Sequence, residues 1–111
     1  MTYTAVLAQS TVTDLGAAER WYTALLGRAP DERPMEGLLE WHVTPSGGVQ
    51  VWAEPERAGR CTLLLSTDDL DAAAGRLSGQ GIEHDGPEDG GGQRLLRLSD
   101  PDGNRVVVLG R

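Results

Sequence analysis

Lysine is absent from this chain of 111 residues; all ten basic side chains are arginine. Schiff-base chemistry and a lysine general base are thereby excluded. A single cysteine, Cys61, permits no internal disulfide, which fits a reducing cytoplasm. No apolar run approaches membrane-spanning length, and Met1 to Val12 lacks a basic stretch followed by an apolar core. Neither a transmembrane helix nor a signal peptide is therefore expected. Positive charge is scarce too: ten basic residues face 17 acidic ones, for a net charge of −7. Nucleic acid and anionic membranes are poor partners for such a chain, because phosphate binding needs clustered positive charge. The balance suits a neutral or cationic small ligand, and it serves equally well simply to keep the protein in solution.

The composition that remains is that of a globular protein, with 39% hydrophobic and 24% charged residues. The length fits one domain over residues 1–111 with a thin core, which dimerisation would help to bury. Two stretches look alike. Asp14-Leu15 and Asp69-Leu70 each open a helical pattern, at an offset of 55 residues, about half the chain. Each aspartate stands where a carboxylate can accept the free amide hydrogens of a first helical turn. Leu15, Ala18, Trp21 or Tyr22 and Leu25 follow at helical spacing in the first; Leu70, Ala73, Ala74 and Leu77 do so in the second. Gly27 closes one helix, and Gly79 and Gly81 the other.

Each helix sits among strand-like runs. In the first half these are Thr4–Gln9, Arg28–Glu32, Leu38–Val43 and Val49–Ala53; in the second, Cys61–Thr67, Ile82–Asp85, Arg94–Leu98 and Arg105–Leu109. Thr44-Pro45-Ser46-Gly47-Gly48 and Asp100-Pro101-Asp102-Gly103-Asn104 read as turns. The order βαβββ thus occurs twice, in modules 1–54 and 60–111, with Glu54–Arg60 as linker and Gly86–Gly92 as a mobile loop.

Three pieces of sequence carry a family resemblance: Asp14-Leu15 with Trp21-Tyr22 and Leu25-Leu26-Gly27; Asp68 through Ala73; and the Asp-Pro-Asp-Gly-Asn turn at 100–104. In order and spacing they resemble the vicinal oxygen chelate superfamily of glyoxalases, extradiol dioxygenases and bleomycin-resistance proteins. The resemblance implies an α+β fold: two βαβββ modules forming a curled eight-stranded mixed sheet around a cavity, two outer helices, and often a homodimer. It also implies metal-ligand positions on the first, fourth, fifth and eighth strands, usually His, Glu, His and Glu. Here they fall on Leu7, on Gln50 or Trp52, on Thr62 and on Val107. None offers an imidazole or carboxylate, so the expected site holds no metal and no cofactor. His42 and His84 lie in different modules; the first reads as a pocket-edge residue, the second as a surface one. Glu40 and His42, two apart on a strand, form a polar pair rather than a metal site.

Strand alternation turns Leu39, Trp41, Val43, Val49, Val51 and Ala53 toward a helix. The other face carries Leu38, Glu40, His42, Gln50, Trp52 and Glu54, a mixture suited to a small-molecule pocket. Leu7 and Gln9, then Thr62, Leu64 and Ser66, Leu95 and Arg97, and Arg105 and Val107 share the inward side. Trp52 offers a stacking surface, or fills the sheet interior or a dimer contact. Arg97 would meet an anionic ligand group, pair with Glu40, or form an ordinary surface ion pair. Cys61 points toward the helices as an inert thiol. The candidate ligand-binding set is Glu40, His42, Gln50, Trp52, Thr62, Leu64 and Arg97. The leading expectation is a metal-free small-molecule binding protein that sequesters an antibiotic or toxic compound. The alternative is a metal-independent isomerase, epimerase or cyclase using Glu40 or His42 as base; a metal-dependent lyase or dioxygenase ranks third.

Overall fold

The computed structural model describes residues 2–111. Its elements run β1 (Val6–Val12), α1 (Leu15–Leu26), β2 (Glu32–Met35), β3 (Leu38–Thr44) and β4 (Gly47–Ala53). After a 3-10 turn at Pro55–Arg57 come β5 (Thr62–Thr67), α2 (Leu70–Gly79), β6 (Glu88–Gly90), β7 (Gln93–Ser99) and β8 (Arg105–Gly110). The βαβββ order therefore does occur twice. The strands form two four-stranded mixed sheets, ordered β1-β4-β3-β2 and β5-β8-β7-β6, with β1–β4 and β5–β8 parallel. The expected α+β fold of two βαβββ modules with eight mixed strands and two helices is observed, its strands divided into two four-stranded sheets that do not close. Among the described residues no helix is long and apolar enough to cross a membrane.

Both helices start as their sequences dictate. The Asp14 carboxylate accepts from the Ala17 amide at 3.1 Å, and that of Asp69 from the Ala72 amide at 3.0 Å. Gly27 ends α1 with φ 74°, a left-handed conformation in which a side chain is strained. Arg76 of α2 then donates to the free carbonyls of Ala24 and Leu25 at 2.8 and 2.6 Å, placing a cation at the negative end of α1. Alternation sends Leu39, Trp41, Val49 and Val51 beneath α1, where all are buried with Ala18, Tyr22 and Leu25. Val43 departs from that expectation and is 40% exposed, because β3 slips register beyond Trp41.

Two expected strands move. The second strand lies at Glu32–Met35 rather than Arg28–Glu32, and the sixth at Glu88–Gly90 rather than Ile82–Asp85. Both are edge strands with no buried residue, so no apolar alternation marks them. Pro34 is tolerated in β2 because an edge strand can spare one amide hydrogen. Ile82 instead folds back onto α2, its amide donating to the Leu77 carbonyl, and its side chain joins the core. The stretch expected to be a mobile loop thus contains β6.

The two halves are joined by a buried polar knot. Asp100, 5% exposed, accepts from the amides of Asp102 and Asn104 on one oxygen. Its other oxygen accepts from the Tyr22 hydroxyl at 2.8 Å and the Asn104 side-chain amide at 2.8 Å. Asn104 also donates to the Thr11 carbonyl and accepts from the Cys61 amide, both at 2.8 Å. The Tyr22 hydroxyl lies 3.0 Å from that of Ser10 as well, and burial pushes its pKa far up, so it stays a donor. Cys61, expected to be inert on the helix side, is half-buried at this junction, its sulfur 3.4 Å from the Thr11 amide.

Removing one donor from a buried carboxylate costs about 1–3 kcal/mol. Tyr22→Phe should accordingly lower the thermal midpoint by several degrees while retaining the fold. Asn104→Ala, which breaks contacts to three segments, should lower it further. Differential scanning calorimetry checks the order; equal midpoints for wild type and both variants would contradict it.

Candidate functional site

Register places four polar residues in a line across the first sheet: Gln9 pairs with Gln50, Gln50 with Glu40, and Glu40 with Glu32. Their side chains share the face turned away from α1 and are linked by hydrogen bonds. Gln9 Nε2 donates to Gln50 Oε1 at 2.9 Å, and Gln50 Nε2 donates to Glu40 Oε1 at 2.6 Å. The other Glu40 oxygen lies 2.8 Å from His42 Nε2, which is 3.2 Å from Glu32 Oε2. Two rows along, on the same face, Trp52 sits between Thr11 and Leu38. A half-buried indole therefore adjoins the polar line.

Asp31 braces the line from beneath, accepting from the His42 amide at 2.7 Å and pairing with Arg28. These contacts set the ionisation of the group. Hydrogen bonding from Gln50, then from His42, holds the Glu40 carboxyl below its ordinary range. The bond to Glu40, with the charges of Asp31 and Glu32, raises His42 above its ordinary value. An open cleft of about 610 Å³ adjoins Glu40 and His42, bounded by Leu7, Arg28, Asp31 and Val43.

Of the residues expected to form a pocket, Glu40, His42, Gln50 and Trp52 come together on this face. Thr62 and Leu64 lie on β5 and Arg97 on β7, all on the second sheet, and all are exposed. Arg97 does not reach Glu40; its Nε donates to Glu88 at 2.6 Å, across the β6–β7 pair. His84 is half-buried rather than on the surface, bonded to Ser78, to the Ala74 carbonyl and to the Gly86 amide. Glu32 and Gln9 complete the line. Glu32 escapes notice because its strand is read four residues too early, ending at Glu32, whereas Gln9 carries the same inward parity as Leu7.

The metal positions implied by the superfamily do not fit an ion. Leu7 and Val107 carry no donor, and Thr62 offers only a neutral hydroxyl. The Gln50 amide is engaged on both its oxygen and its nitrogen.

Residues 5–109 match the family model described as a glyoxalase-like domain. Among solved structures, a glyoxalase/bleomycin resistance protein from Catenulispora acidiphila is 31% identical, with a TM-score of 0.89 over 96% of this chain and 97% of that one. TnmS3, an antibiotic-binding protein from a Streptomyces strain, is 28% identical with a TM-score of 0.78, over 99% and 98%. A lactoylglutathione lyase from Agrobacterium tumefaciens shares the fold alone, at 18% identity and a TM-score of 0.78, over 95% and 91%. No curated protein matches the chain.

The raised His42 and lowered Glu40 have opposite pH signatures. The His42 contribution to stability is full below its ordinary value of 6.5 and fades as pH rises through the raised value. That of Glu40 is full above its ordinary value of 4.5 and fades as pH falls through the lowered one. An NMR titration of the His42 ring should show a midpoint above 6.5, and Glu40→Gln should bring it down. A midpoint unmoved by that substitution would contradict the pairing.

Proposed function

The chain belongs to the glyoxalase-like domain family, and on that premise we propose that it binds a small molecule, of the antibiotic or toxic-compound class, and sequesters it. The observation that carries this reading is the bonded line Gln9–Gln50–Glu40–His42 beside Trp52 on an open sheet face. A planar group stacks on the indole while the polar line orients its hydrogen-bonding edge. The excess of carboxylates favours a neutral or cationic ligand. Similarity to an antibiotic-binding protein at 28% identity supports the same assignment. The absence of fitting donors at the superfamily positions favours binding without a metal there.

A second reading, a metal-independent isomerase, epimerase or cyclase, draws on the Glu40–His42 contact at 2.8 Å. Both Glu40 oxygens already accept hydrogen bonds, which weakens it as a base, and His42 Nε2 is already engaged with Glu40 and Glu32. Recovery of the bound compound chemically unchanged separates the two readings.

We further propose that the site is completed by a second copy of the chain in the cytoplasm. Val6 is 79% exposed and Leu64 59%, on faces that neither sheet covers for the other. The accessible surface of 6854 Å² exceeds by about 900 Å² that of an ordinary monomer of 11.9 kDa. One side of a standard interface buries about 800 Å².

Tryptophan fluorescence should be quenched by at least one member of a panel of planar natural-product antibiotics. Trp52→Ala should remove most of that quench and weaken binding by about tenfold. A panel that never quenches, or a quench untouched by the substitution, contradicts the assignment. Sedimentation velocity should give a dimer that Leu64→Glu shifts to monomer; a wild-type monomer at high concentration would overturn the shared site.

A further inference from the structure

We propose that Glu32, Glu40 and His42 form a binding site for a divalent transition metal of the zinc type, on strands β2 and β3. One carboxylate oxygen from each glutamate and the imidazole nitrogen lie within 4.8 Å of one another. His42 Nε2 is 2.8 Å from Glu40 and 3.2 Å from Glu32. A tetrahedral zinc ion, with bonds of about 2.0–2.2 Å, spaces its donors about 3.3–3.6 Å apart. The His42–Glu40 pair thus needs to open by about 0.5–0.8 Å and the His42–Glu32 pair by less. One nitrogen and two carboxylate oxygens suit zinc or copper better than magnesium or calcium, which favour oxygen alone.

A separate feature of the sheet points the same way. Glu32 and Glu40 are direct cross-strand partners. Like charges in that relation destabilise a strand pair; His42 Nε2 lies between the two carboxylates, and a divalent ion held by all three groups offsets their repulsion more fully than the ring alone. Behind the donors, the Gln9–Gln50 chain ends on the outer oxygen of Glu40 and fixes the rotation of its carboxylate. Such outer contacts orient ligands toward a metal. His42 is itself fixed from the backbone side, its amide bonded to Asp31. None of the three donors stands at a superfamily ligand position. Glu40 and His42 line the cleft together with Leu7 and Val43, from which a donor atom of a ligand or a water would complete the sphere. The site does not depend on the small-molecule reading, since an ion binds here whether or not an antibiotic does.

The test is isothermal titration of untagged, chelator-treated protein with zinc chloride at pH 7.5. One zinc per chain with a micromolar or tighter Kd is expected. His42→Ala should weaken binding at least tenfold, and Glu32→Gln, at an exposed edge position that leaves folding intact, should weaken it severalfold. His84→Ala should leave it unchanged. Absence of stoichiometric binding, or equal binding by wild type and Glu32→Gln, overturns the proposal; so does a loss in His84→Ala as large as in His42→Ala. Cobalt absorption in the visible range, lost in His42→Ala, reports the same nitrogen donor independently.

Discussion

A carboxylate with almost no access to water holds the two halves of this protein together. Asp100 is stable there only because four donors converge on it, from its own turn, from Asn104 and from the Tyr22 hydroxyl of α1. Asn104 extends the hold to Thr11 at the end of β1 and to Cys61 just before β5. One turn of the second module is thereby bonded to two elements of the first. Because a half-satisfied buried network is costly, geometry at these few atoms constrains how the two halves meet, alongside the shared apolar core and the Arg76 bonds to the end of α1.

That placement has a consequence for the rest of the molecule. With the helices packed behind and the knot binding the ends of β1 and β5, the opposite faces of both sheets remain open. On the first sheet this open face bears a line of polar side chains at one register level: Gln9 is bonded to Gln50 and Gln50 to Glu40, and His42 bridges Glu40 to Glu32. A row of this kind contributes little to a core. It presents an amide chain, a carboxylate and an imidazole beside a tryptophan, all held by neighbouring strands rather than by loops. Rigid positioning of that sort is what recognition of a small molecule requires.

Much of this was legible from residue order. Asp14 and Asp69 announce two helices at equivalent places, because a capping carboxylate before an apolar helical stripe has few other uses. The turn at 100–104 marks the last strand pair, although its role as the central knot depends on Tyr22, 78 positions away in sequence, as well as on its own amides. Glu40, His42, Gln50 and Trp52 follow from alternation along two well-patterned strands. The edge strands did not follow: Glu32-Arg33-Pro34-Met35 and Glu88-Asp89-Gly90 have no buried face, so periodicity is silent about them. Placing the second strand at Arg28–Glu32 leaves Glu32 at its far end, so its pairing with Glu40 and its position beside His42 go unseen. The partner of Arg97 was hidden for the same reason, since Glu88 belongs to the other unmarked strand.

The central claim is that the open face of the first sheet is where a small ligand binds. A heteronuclear NMR titration of labelled protein with an antibiotic that quenches tryptophan fluorescence tests it most directly. The side-chain amide signals of Gln9 and Gln50, the Trp52 indole and the His42 ring should shift together and saturate at one stoichiometry. Shifts confined to the outer faces of the helices, with these four residues unmoved, would contradict it.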